Sequence, residues 1–305
     1  MRFVWFSVLL ILLVSVTSFG QNTFYYPHIV NGDLGGGLVW KTTIFLTNPA
    51  AVGTSTASGT ILFMKDNPAN PGAPGNPFTS ISFVDENNNP VGSGNSISFQ
   101  IAGGETRKYT STGEGTYATA NQPNSPGGGG FAIVDSNVPI TGTAVFSLFN
   151  NGTLIGEAGV PAGVAVPRQV IFVDTIADYK VGVAMANVGA TAANVTLNLL
   201  NTSAQTVATT TLSGGLGAND HVAKFTFEFF PAAQPLAGTM QIVSDAPLSV
   251  IALRFDPSFS IFTTLPPVTI ASMLQPAVQW FRERPWAAPL VSIARLLGAL
   301  QFHMA

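Results

Sequence analysis

The stretches WKTTIFLTN at 40–48 and YKVGVAMAN at 179–187 follow one pattern: an aromatic residue, a lysine, alternation, and a closing asparagine. In the first, Trp40, Thr42, Ile44 and Leu46 fall on one face of a strand, with Lys41, Thr43 and Thr47 on the other. In the second, Tyr179, Val181, Val183 and Met185 share the equivalent face, opposite Lys180, Gly182 and Ala186. The period is two and the larger side chains keep phase. A one-residue slip would turn that face to water, so register is strongly specified. Asn48 and Asn187 end the strands, where an Asx side chain bonds nearby backbone. A chain that writes the same strand twice is predicted to hold a duplicated β unit.

The segments that follow keep the same order. Thr60–Met64 matches Val195–Leu200 as a second strand, then come the polar turns DENNNP at 85–90 and NTSAQ at 201–205. Ser96–Ile101 and Val207–Leu212 are next, followed by the Gly-rich turns AGGETRKY at 102–109 and GGLGANDHVAKF at 214–225. Late in each copy stand an Ile-Val pair, a polar turn and a proline: IVDSNVPITGTAVF at 133–146 and IVSDAPLSVIALRF at 242–255. The first copy is longer, chiefly through NPANPGAPGNPFTSISF at 67–83, where Thr79–Phe83 is predicted as an extra edge strand, and NQPNSPGGGG at 121–130. No sustained helical stripe occurs in 21–268; FTFEFFPAAQPL at 225–236 has room for one short helical turn. Short alternating strands between turn signals predict β-sandwiches.

These motifs, with EAGVPA at 157–162 and FTTLPPV at 262–268, resemble exported bacterial proteins with paired immunoglobulin-like β-sandwich units. The resemblance covers residues 24–268. It implies an all-β chain of two tandem immunoglobulin-like antiparallel sandwiches, 21–163 and 168–268, and transfers no catalytic residue. The joint Gly163–Arg168, holding Pro167, is expected to be short and stiff, with partial contact between the sandwiches.

The ends differ from this region. MRFVWFSVLLILLVSVTSFG at 1–20 has one Arg, an apolar run, and Ser18 and Gly20 at the −3 and −1 positions, which is the pattern of a secretory signal peptide; an uncleaved anchor is the alternative. The tail, 269–305, abandons the Gly/Thr/Asn style. Leu290, Ile293, Leu297 and Leu300 form a helical stripe beginning near Pro285 and Pro289. Three readings stand: a short helix packed on a sandwich or a partner; a membrane-contacting helix over 280–300 that uses Trp280, Phe281, Trp286 and its three arginines; or non-native sequence.

Composition narrows function. Only 9% of the 305 residues are charged and the net charge is −3, against roughly 25% charged in ordinary domains. No basic stripe exists to neutralise phosphates, so no nucleic-acid partner is expected. There is no cysteine, so an exported chain must rely on core burial alone. The sequons at Asn151, Asn194 and Asn201 fit chance in an Asn- and Thr-rich chain.

Candidate chemistry is sparse. His28 and His221 fall in different copies, and no HExxH, GxSxG or P-loop occurs. Asp135 with Glu157, or Asp245 with Asp256, are the carboxylate pairs to weigh for acid–base work. DENNNP offers Asp85, Glu86 and Asn87 as a weak calcium loop beside its plain reading as a hairpin turn. Trp40 and Tyr179 are candidate ligand or core aromatics. No catalytic residue, cofactor or metal site is assigned. The expectation is a secreted or cell-surface, non-catalytic, adhesion-like protein whose partner is a protein or polysaccharide. The alternative is a carbohydrate-binding module or an accessory to a glycan-active system.

Overall fold

The computed structural model describes residues 21–66, 72–78, 81–117, 127–233, 235–259 and 261–270. The signal peptide and the tail helix predicted above lie outside the described residues.

The first copy holds β1 (Gln21–Gly35), β2 (Leu38–Thr47), β3 (Thr56–Lys65), β4 (Asn76–Pro77), β5 (Ile81–Val84), β6 (Pro90–Gly94), β7 (Ser96–Ala102), β8 (Thr106–Ser111), β9 (Gly128–Asn150) and β10 (Thr153–Pro161). The second holds β11 (Val166–Asp174), a 3-10 turn (Ile176–Asp178), β12 (Lys180–Asn187), β13 (Val195–Asn201), β14 (Thr206–Thr211), β15 (His221–Phe225), α1 (Thr226–Phe229), β16 (Ala237–Phe255) and β17 (Phe262–Leu265). The chain is all-β, and α1 falls in the one segment with room for a helical turn.

The strand pairing repeats. β2 lies between β8 and β9 as β12 lies between β15 and β16. β3 joins β7 to β9 as β13 joins β14 to β16. β1 and β10 flank β9 as β11 and β17 flank β16. All of these ladders are antiparallel. β4 falls in the first copy's surplus, and β5 overlaps the segment predicted as an edge strand; it pairs with both β8 and β6, however, so β5 is interior and the edge of the sheet is β6.

The Ile-Val/proline segments do not turn the chain. β9 and β16 run straight through Pro139 and Pro247 as strands of 23 and 19 residues. The first half of β9 pairs with β1 and β3, and its second half with β2 and β10. β16 divides its partners in the same way between β11 and β13, then β12 and β17. Each proline sits where the strand changes partners, so its missing N–H costs no ladder bond.

The predicted faces hold. Ile44 and Leu46, and Val181, Val183 and Met185, are buried. In β12 the opposite face is covered as well: Ala184 joins the first copy's core, and Ala186 packs with Met64 and Phe131. That larger core also takes in Ile251, Leu253 and Phe262 from the second copy. The described residues up to Val268 belong to one compact unit. Gly163 of the joint exchanges two backbone hydrogen bonds with Tyr25, 3.0 and 2.9 Å.

Candidate functional site

The seam between the copies is built from places where the repeat is broken. β1 carries a bulge between Tyr26 and Ile29: these oppose Ala132 and Gly130, so Pro27 and His28 together face only Phe131. The equivalent β11 pairs without interruption from Arg168 to Asp174. A bulge re-aims the side chain it carries, and proline is tolerated there because it has no N–H to pair. His221 starts β15 opposite Ala186, whereas the matching place in the first copy is Thr106, opposite Thr47. The two departures meet.

His28 Nδ1 lies 3.2 Å from His221 Nε2, and the rings are near parallel, 13° apart. The Nδ1 of His221 is in a close hydrogen bond with the Asp66 carboxylate. A row therefore runs Asp66–His221–His28 across the seam. Phe131 stacks on His221, and Phe146 meets His28 edge-on. Burial holds the His28 ring down at about 3, with the neighbouring His221 adding to the effect. Tyr117 stands beside them. Its N–H donates to Asp33 C=O (2.7 Å), and buried Asn31 pins the preceding segment through Glu114 O and Gly113 N. Burial first, and then Asp66, pushes its phenol well above the ordinary value. Gly129 is the floor of the cluster: a Cβ there would lie 3.3 Å from the Tyr117 hydroxyl and 3.6 Å from both Asp66 Oδ2 and His28 Cε1.

The first copy's insertion reaches the same seam. Gly75 N–H donates to Ala218 C=O (2.9 Å), and side chains at Gly72 or Gly217 would strike the facing backbone. The extra length of the first copy thus lies on the turn that leads into His221. In chemical terms, Asp66 orients His221 as a carboxylate orients imidazole in relays and metal shells. The facing nitrogens are 3.2 Å apart and engage each other. Among the described residues no group of three His, Asp or Glu side chains is placed to hold a metal.

The residues singled out from sequence lie elsewhere. Asp85 Oδ1 accepts the N–H groups of Asn87 and Asn89, both at 2.8 Å, and Glu86 pairs with Arg107 at 3.1 Å. Hydrogen bonds within the hairpin, that of Asn89 N–H foremost, hold Asp85 below the usual carboxylate range. DENNNP is thus a self-capped hairpin turn whose carboxylates are engaged locally. The weighed carboxylates are not brought together in pairs by shared partners: Asp135 accepts from Thr23, Glu157 from Ser147, Asp245 from Asn194, and Asp256 from Ser258 and Ile261. Trp40 is half-buried, edge-on to Phe146 and Phe262. Tyr179 lies under the Arg254 guanidinium, 3.4 Å from its ring centre, and Arg254 also pairs with Asp174 at 2.7 Å.

A second feature escaped sequence reasoning. From Trp40 an aromatic row runs through Phe146, Phe262 and Phe255 to Phe225, which stacks on Phe227 at 5.2 Å and 6°. Its outer end is open to solvent: Phe227 is 40% exposed, Phe259 44% and Ile261 71%. A separate open groove between β14 and the α1–β16 loop is lined by Val207, Ala208, Phe230 and Leu236 among other apolar residues. It carries no side chain for chemistry.

No protein-family model, curated protein or solved structure matches this chain.

Proposed function

We propose that this chain is an exported or surface-displayed, non-catalytic, adhesion-like interaction protein made of two immunoglobulin-like β-sandwich units. The observation that carries the reading is the exposed end of the aromatic row, Phe227 and Phe259 packed on the half-buried Phe225. Contiguous exposed apolar surface rimmed by polar groups marks a contact site. Its polar neighbours are engaged: Glu228 accepts Phe225 N–H at 2.7 Å and Asp256 caps its own loop. An aromatic shelf whose neighbouring carboxylates are already engaged, on a chain with 9% charged residues, suits a neutral partner, a protein or polysaccharide at a cell surface.

The test is binding of the full chain to isolated cell envelopes and to a panel of insoluble polysaccharides, against a Phe227→Ser/Phe259→Ser variant. Both side chains are more than half covered by the aromatic row, so the variant is expected to melt lower yet stay folded at room temperature, where affinity should drop at least tenfold. Polysaccharide binding would select the glycan version, and envelope-protein binding the adhesion version. Unchanged affinity in the variant would remove the shelf from the reading.

A further inference from the structure

We propose that His28 and His221 form an acid-released latch: with one proton between their facing nitrogens they hold the seam between the copies shut, and protonation of both rings opens it. This stands on a different site from the aromatic shelf and does not depend on it.

Two imidazole nitrogens 3.2 Å apart need one proton between them. With none they repel through their lone pairs, and with two they place N–H against N–H. Asp66 can neutralise one imidazolium, the one on His221 that it touches. No second carboxylate is seen in hydrogen-bond contact with either ring among the described residues. The other groups around the pair do not help. The Tyr117 hydroxyl stays protonated, Phe131 and Phe146 are apolar, and Lys65, next to Asp66 in the chain, brings another cation over the Phe78 ring. Asp220, beside His221, is buried and has its own partners, its C=O accepting Asn187 N–H. One added proton is accommodated with the rings together, on His221 against Asp66, if His28 accepts at Nδ1 and carries its own proton on Nε2; once His28 is cationic as well, two N–H groups face each other with one carboxylate for two charges, and the rings part.

Placement argues for a device over an accident of packing. Both histidines stand where their copy departs from the other, one lifted by a bulge and one replacing the Thr106 type of residue. They come from strands of different copies. Around them lies a bond that closes the seam, Gly75 N–H to Ala218 C=O. The sign follows from His28. Its folded value is depressed relative to about 6.5 in the open chain, so the open form binds more protons below pH 6.5. Closure is then complete at neutral pH and weakens as pH falls through the window from about 6.5 towards about 3.

The experiment is amide exchange on the full chain between pH 7.5 and 4, read beside the imidazole carbon resonances of its histidines. Protection of the Gly75 amide should fall by up to about tenfold per pH unit below pH 6.5, as one proton is taken up on opening. Amides of the β2–β8 ladder should hold. His28→Gln, whose amide N–H can donate to His221 Nε2, and His221→Thr, which restores the first copy's residue type, should each flatten that dependence. If either variant fails to fold, the wild-type chain decides alone. His28 titrating near 6.5 with seam protection unchanged would overturn the latch, as would a flat wild-type profile.

Discussion

At the residue scale the two closing asparagines are the clearest case of sequence predicting chemistry. Both are fully buried. Asn48 donates to Ser55 and Ile101 carbonyls and accepts Ala50 N–H. Asn187 donates to Thr191, Leu216 and Gly217 carbonyls and accepts Gly189 N–H. An alanine at either place strands buried backbone groups, at about 1–3 kcal/mol for each one left unsatisfied. Asn187→Ala is expected to cost about 2–4 kcal/mol, and Asn48→Ala somewhat less, in urea-unfolding midpoints. Titrating groups separate by window. Asp85 and Asp245 have depressed folded values, so their stabilisation is present above about pH 4 and is lost only below it. His28 acts from about 6.5 downward, so a stability decline already present at pH 5 belongs to His28 and should vanish in His28→Gln.

At the element scale, what counted as surplus length proves to be contact. The stretch Gly72–Pro77 lies against the turn before β15, and Gly217 faces its backbone with no room for a Cβ. Gly217→Ala is expected to lift this stretch from the turn. The measurable outcome is faster proteolytic nicking within residues 72–77, with destabilisation of about 1–3 kcal/mol, the usual range for overpacking. Unchanged nicking would mean that the insertion is held elsewhere. The long strands β9 and β16 carry the other lesson. A proline after a polar run reads as a turn, yet here each proline sits between two sets of partners in one strand. Single-strand pattern cannot tell these apart, because the difference lies in which neighbours pair on either side.

At the scale of the whole molecule, the copies share a core. Phe262, from the second copy, contacts Trp40 and Phe146 of the first and belongs to the larger buried cluster. Shared burial couples their unfolding, so calorimetry of residues 21–268 should give one transition. Phe262→Ala is expected to cost about 3–5 kcal/mol, the range for truncating a buried aromatic. Two resolved transitions in the unmodified chain would show instead that each copy melts on its own.

What the sequence determined by itself is periodic and local: an all-β chain, the phase of β2 and β12, the asparagines that end them, the hairpin turn at Asp85, and the duplication. These follow from a two-residue repeat and from side chains bonding to backbone a few positions away. Tertiary structure alone decided what meets across the copies. His28 and His221 stand 193 positions apart, and the bulge that aims His28 is visible only as a slip between paired strands. Likewise Phe227, Phe259 and Ile261 read as ordinary apolar residues in turns, and become a surface only when two loops at the end of β16 and β15 are brought side by side. Periodicity reports which face of a strand is buried; it has no term for the partner that buries it.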